Sequence, residues 1–296
     1  MLIAPKPFGQ LLNEWFGLLG RRWRPLLWTS LVGFGPLAVV VFVTFMVSGA
    51  DDTFAELIAG ETLDSLTLDE LLDLFQPLIW VGVSWALLQI MVTAFVSVAA
   101  TRIVAQDIVG GVPSTSDVLR FSWARLMPAL GAALILAIGV GLMVGIVSAI
   151  AVIVFAVFET GFLAVFLVTA IALSLLVVSV WVGLSVSLYP QVIACERSGP
   201  IQTLIRSFDL VRTRWWTTAG FLIVVGLIVS VASQVLGVVL VPVFVYGLVE
   251  PILLGLAYGL SLVLYGPLTG ALGAAYAVWY VDLRARRETL TGEALI

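Results

Sequence analysis

Six stretches of this chain contain no Asp, Glu, Lys or Arg: residues 25–50, 74–101, 126–158, 160–195, 215–249 and 251–281. The shortest has 26 residues and the longest 36. A helix needs about 20 apolar residues to cross the hydrocarbon of a bilayer, and rarely fewer than about 17. Each run therefore accommodates one crossing, and none has room for two crossings and a turn. The expected fold is all-α, a polytopic membrane protein with six transmembrane helices in one integral membrane domain over 1–296. A β-barrel would need roughly ten-residue segments of alternating polarity. The stretches from Leu130 to Phe158 and from Phe221 to Leu240 do not alternate, which favours helices. The first run is also too long for the apolar core of a secretory signal and follows an amphipathic aromatic stretch, so it is expected to remain as a span.

Composition excludes further classes. Of the 296 residues 61% are hydrophobic and 11% charged, against roughly 25% charged in a soluble domain. A soluble enzyme could not cover so apolar a core. There is no histidine, so the commonest proton shuttle and metal ligand is missing. Cys195 is the only cysteine, which excludes an internal disulfide and a thiolate zinc site. No P-loop, dinucleotide-binding glycine pattern or usefully spaced carboxylate pair occurs. The residues therefore point to no catalytic, cofactor or metal site and to no nucleic-acid partner.

Charge fixes the expected orientation. All 14 bases fall before the first span, between spans two and three, between four and five, or after six. By the positive-inside rule these segments are cytoplasmic, with both termini. The other side carries ten acids and no base, eight of them in the outer loop 49–76. Thr67 and Glu70 there have capping-box spacing ahead of Leu68, Leu71, Leu72 and Phe75, the pattern of a short amphipathic helix. That loop reads either as a solubilising outer helix or as a surface that docks a protein partner or attracts cations.

An amphipathic segment precedes each odd-numbered span and ends in Arg with Trp or Pro. The first runs Phe8, Leu11, Leu12, Trp15, Leu19 to Arg21-Arg22-Trp23-Arg24-Pro25; the second leads from Asp117 to Trp123, Arg125 and Pro128. The third begins Gly199-Pro200 and ends Arg212-Thr213-Arg214-Trp215-Trp216. The second and third copies align at an offset of 89, which places Asp107 on Glu196, Gly110 on Gly199 and Arg125 on Arg214. The expected organisation is three units, about 5–107, 112–196 and 200–282, followed by a cytoplasmic tail, 283–296. Each unit comprises an interfacial helix lying on the membrane surface and two spans. An acid recurs where each even span leaves the membrane: Asp107, Glu196 and Asp282. We expect these acids to pair with arginines of the interfacial segments, Arg24, Arg125 and Arg214 or an arginine of another unit. A second expected site holds anionic lipid headgroups: Arg21, Arg22, Arg24, Arg125, Arg212 and Arg214, flanked by Trp23, Trp123, Trp215 and Trp216.

Small residues at GxxxG spacing, Gly141/Gly145, Gly255/Gly259 and Gly266/Gly270, are expected at close helix contacts, and Pro267 is expected to kink the sixth span. All eighteen acids and fourteen bases map to span ends or loops, whereas a charged residue within a span would mark a functional site. Gln89 and Gln234 read either as amides that hydrogen-bond between helices, the favoured expectation, or as the lining of a polar path. Glu250, beside Pro251 at an outer turn, reads as a surfaced helix-entry acid, and Cys195 as a spectator thiol.

The pattern Phe8, Trp15, Arg22-Trp23-Arg24, with Glu196, Ser207-Phe208 and Arg214-Trp215-Trp216, resembles the membrane domain associated with glycerophosphoryl diester phosphodiesterases. It is also similar to the YciC-like group of bacterial membrane proteins. The resemblance covers nearly the whole chain and implies a bacterial cell (inner) membrane. In that family the membrane domain can be fused to a soluble phosphodiesterase barrel that performs the catalysis, and these residues contain no such barrel. The expected function is a non-catalytic scaffold, assembly or lipid-organising component. The alternative is a transporter or lipid-translocating protein, suggested by the repeats and by the Gly/Pro break at Gly266-Pro267.

Overall fold

The computed structural model describes residues 3–47, 68–158, 161–196, 198–247 and 251–295. Eight α-helices occupy them: α1 (Phe8–Val47), α2 (Leu68–Ile108), α3 (Thr115–Phe158), α4 (Phe162–Val186), α5 (Tyr189–Glu196), α6 (Pro200–Arg212), α7 (Trp215–Gly247) and α8 (Pro251–Arg287). A 3-10 turn follows at Gly292–Leu295. Six of the resulting segments are long and apolar enough to cross a membrane, as a polytopic membrane protein requires. Most of the acidic outer loop, with Glu159 and Glu250, lies outside the described residues. Leu68 onward is not a separate outer helix, because it forms the first turns of α2.

The core is a trio. α1 and α8 share the most extensive contact, and α2 packs against both. Glycine lets these helices approach. A Cβ at Gly270 would stand 2.6 Å from Ser30 Oγ, and one at Gly266 2.9 Å from the Phe34 ring. Gly259 lies against the Ala38 carbonyl, and Gly273 against Ser97 and Ala100. Two of the three expected GxxxG pairs thus sit at close contacts. Gly141 and Gly145 do not, since nothing approaches within 4 Å of a Cβ at either. α8 remains helical through Pro267. The other three spanning segments lie outside the trio. α7 packs on α8, α3 packs on α2 and less extensively on α4, and the central apolar stretch of α3 buries no residue.

The amphipathic segments do not form three alike surface helices. Pro25 has no N–H, and its ring clashes with the carbonyl four residues back. The chain accordingly leaves helical geometry at Arg22 (φ −118°, ψ 22°), so residues 8–21 make a kinked prefix to the first span. Its inner face is core: Leu11, Trp15 and Leu18 are buried. In the second unit α3 runs unbroken through Pro128 for 44 residues. At 1.5 Å per residue it is about 66 Å long, over twice the roughly 30 Å of hydrocarbon. Only the third segment, α6, is a separate helix, begun by Pro200 and ended at Thr213.

Span four is broken where the sequence suggests continuity. Pro190 cannot donate to the Val186 carbonyl, so the helix stops at Val186 and restarts as α5 at Tyr189. The freed groups find one partner in α6. Buried Ser207 Oγ accepts from the Leu188 N–H at 3.2 Å and donates to the Ser185 carbonyl at 3.2 Å.

Candidate functional site

The charged ends of the helices carry most of the polar organisation among the described residues. Asp107, at the end of α2, accepts from Arg21 Nη2 at 2.8 Å and Arg22 Nε at 2.6 Å, and Arg22 also donates to the Gly111 carbonyl at 2.9 Å. The loop that turns there needs Gly110, whose φ of +81° suits a residue without a Cβ. Glu196, at the end of α5, accepts from Arg206 Nε at 3.0 Å and from the Tyr280 hydroxyl at 2.8 Å, and Arg284 stands 3.6 Å away. Arg206 also donates to Glu288, which pairs with Arg284 at 3.3 Å. Asp282, at the end of α8, accepts from Arg286 at 2.6 Å and from the Lys6 N–H at 2.7 Å, while Arg286 donates to the Lys6 carbonyl.

Each recurring acid therefore meets an arginine, but the arginines differ from the repeating set Arg24, Arg125 and Arg214. Asp107 takes partners from the prefix of its own unit, and Glu196 takes Arg206 from the next. Asp282 takes its own helix neighbour, because one α-helical turn carries Arg286 over it. Burial works against ionisation of both Arg206 and Glu288. Their mutual hydrogen bond, with Glu196 and Arg284 beside them, outweighs it and leaves the Arg206 guanidinium raised and the Glu288 carboxyl lowered. The tail packs back on the protein over its described residues, 283–295. α8 continues to Arg287, Leu290 and Leu295 are buried, and the Ile3 N–H donates to the Leu290 carbonyl at 3.0 Å.

The expected headgroup residues divide. Arg21 and Arg22 are engaged with Asp107. Arg24, Arg212 and Arg214 are exposed, Arg24 lying 5.3 Å from the Trp23 ring centre and Arg212 pairing with Asp209 at 2.9 Å. Arg125 is half-buried and shares the face of Phe121 with Arg102, at 5.6 and 4.8 Å. Trp23, Trp123 and Trp216 are exposed, and Trp215 is half-buried with its ring edge-on to Trp216. Two tryptophans that look like membrane anchors are core residues. Trp15 Nε1 donates to the Ala271 carbonyl at 2.9 Å, and Trp279 stacks on Phe221 and donates to Thr218 Oγ1 at 3.1 Å.

The amides also depart from expectation. Neither Gln89 nor Gln234 bridges helices: the Gln89 Oε1 atom is buried without a partner, and Gln234 is exposed. Gln191 in α5 is fully buried with both amide atoms unpartnered. No group of three or more Cys, Asp or Glu side chains among the described residues is placed to hold a metal ion. The arrangement binds charge and packs helices. No protein-family model matches the chain, and no curated protein or solved structure matches it significantly.

Proposed function

We propose that this is a non-catalytic membrane protein that organises anionic lipid, or scaffolds other proteins, at the charged face of a bacterial inner membrane. The carrying observation is the division among its arginines. Arg21, Arg22, Arg206, Arg284 and Arg286 tie helix ends together, whereas Arg24, Arg212 and Arg214 are exposed beside exposed Trp23 and Trp216. A base near an anionic surface contributes about 1 kcal/mol, and indole rings prefer the same depth. In this reading the termini face the cytoplasm, and the acidic loop 49–76 faces outward, where it can meet a protein partner. The resemblance to the phosphodiesterase-associated membrane domain fits a lipid-directed role without supplying an activity. Native mass spectrometry tests it. Replacing Arg24, Arg212 and Arg214 together by Gln should strip most bound phosphatidylglycerol, and unchanged retention would refute the headgroup site.

The transporter alternative draws on the break between α4 and α5, since interrupted spans often build substrate sites. Here the freed backbone groups are held by Ser207. Lipid scrambling in proteoliposomes would favour that alternative.

A further inference from the structure

Two clefts meet on the flank formed by α2, α3, α4 and α5. One, of about 540 Å³, lies between α2, α3 and α5, and the other, of about 500 Å³, between α3 and α4. Leu136, Val140 and Tyr189 line both, so the clefts form one trough across a face of α3. Each is within the size range of small-ligand sites, about 300–1,000 Å³.

The trough is apolar except for a few groups, and their hydrogen bonding separates them. Ser179 and Ser187 also line it, but each donates to a carbonyl of its own helix. Gln89, Thr93 and Tyr189 make no hydrogen bond among the described residues, and the Gln89 Oε1 atom is shut away from water. Gln89 and Thr93 precede Arg102 by thirteen and nine residues. At 1.5 Å per residue they lie about 20 and 14 Å along α2 from its charged end, near the middle of a hydrocarbon layer roughly 30 Å thick. An amide without a partner at that depth is strongly unfavourable. With the Thr93 and Tyr189 hydroxyls beside it on the wall, the Gln89 amide makes one polar patch in an otherwise apolar trough. No charged side chain lines the trough, and a charged head placed there would have no counter-ion.

We propose that this trough binds an uncharged lipid, a long apolar chain whose hydroxyl head exchanges hydrogen bonds with the Gln89 amide and the Thr93 and Tyr189 hydroxyls. The site is distinct from the arginine face and does not depend on it.

The test is photolabelling of the full chain in nanodiscs of zwitterionic lipid, using hexadecanol with a diazirine in its chain. Labels should map to α3 near residues 135–143, and excess hexadecanol should suppress them at least tenfold while hexadecane at the same membrane fraction does not. The triple variant Gln89→Leu, Thr93→Val, Tyr189→Phe should lower labelling at least fivefold. Gly139→Leu should do the same with every polar group intact, because nothing stands within 4 Å of a Cβ at Gly139 and the added side chain fills the trough. If the triple variant loses its helical signal, Gly139→Leu and the competition decide. Equal competition by hexadecane would overturn the proposal, as would undiminished labelling of the variants or stronger competition by palmitate.

Discussion

The trio α1, α2 and α8 and the outer helices α3, α4 and α7 are all built from long apolar runs, yet the trio is buried through the middle of its spans, whereas the outer helices are buried mainly near their charged ends, as at Leu126, Ala129, Phe221 and Val225. The outer helices are more hydrophobic through their middles and face outward there, with Val144, Val152, Val177, Leu176, Val235 and Val239 exposed and Gly139, Gly141, Gly145 and Gly226 meeting no neighbour. The trio mixes in residues that permit contact: Gly259, Gly266, Gly270 and Gly273 in α8, Ser97, Ala99 and Ala100 in α2, and Ser30 in α1. Lipid tails are as apolar as leucine, so hydrophobicity alone does not draw helices together in a membrane. Close backbone approach does, through dispersion and packing. The more hydrophobic helix is therefore the less buried one.

Breaking the trio should have the largest effect. Gly270→Leu forces a side chain against Ser30 and should cost about 1–3 kcal/mol or prevent folding. Gly141→Leu, with open space around it, should leave the detergent melting temperature unchanged. Equal losses at both sites would remove the distinction between the regions.

Next comes the charged end that joins them. Glu196→Gln leaves Arg206 and Arg284 facing a neutral amide. Exposed pairs contribute about 0–1 kcal/mol and buried ones cost about 3–5 when one partner is removed. With 19% of the Glu196 side chain exposed, a loss of about 1–3 kcal/mol is expected. Adding Arg206→Gln should recover part of it, and strictly additive losses would show that the pair is not coupled.

Gln191→Leu works in the opposite direction. Each unpaired buried polar group costs about 1–3 kcal/mol, so the substitution should raise the melting temperature. A fall would mean that the amide is satisfied in the membrane, for instance by a bound water.

The smallest effect concerns pH. The Glu288 carboxyl is lowered in the fold, so its contribution is complete above the ordinary glutamate value of 4.5 and is lost as pH falls below it. Because the group is 35% exposed, solvent screening keeps this under about 1 kcal/mol. Amide protection factors at Leu290–Leu295, corrected for the intrinsic exchange rate at each pH, should fall below pH 4.5, and Glu288→Gln should abolish that fall.

The spans were legible because charge is scarce and its absence over 26 residues or more permits little else. Contacts were less legible. Gly141/Gly145 and Gly266/Gly270 share one spacing, and only the presence of Phe34 and Ser30 on a neighbour distinguishes them. Trp15 and Trp279 carry the same aromatic signal as Trp23 and Trp216, and tertiary packing sorts them. The break at Pro190 was not legible, since α3 passes unbroken through Pro128, and the role of Ser207 needs α6 in place. The acids at helix ends were visible in the sequence. Their arginines were not, because the kink at Arg22, the unbroken α3 and the separate α6 give three nominally equivalent segments three different reaches.

The most direct test uses the unmodified protein in bilayers doped with a phospholipid carrying a diazirine near the middle of its acyl chain. After photolysis, carbene adducts should concentrate on 140–153, 163–178 and 231–241, and spare 96–104 and 270–280. Comparable labelling of Ala99–Val104 or Ala274–Tyr280 would mean that lipid reaches the helices assigned to the core, and would contradict the division into a packed trio and lipid-facing outer helices.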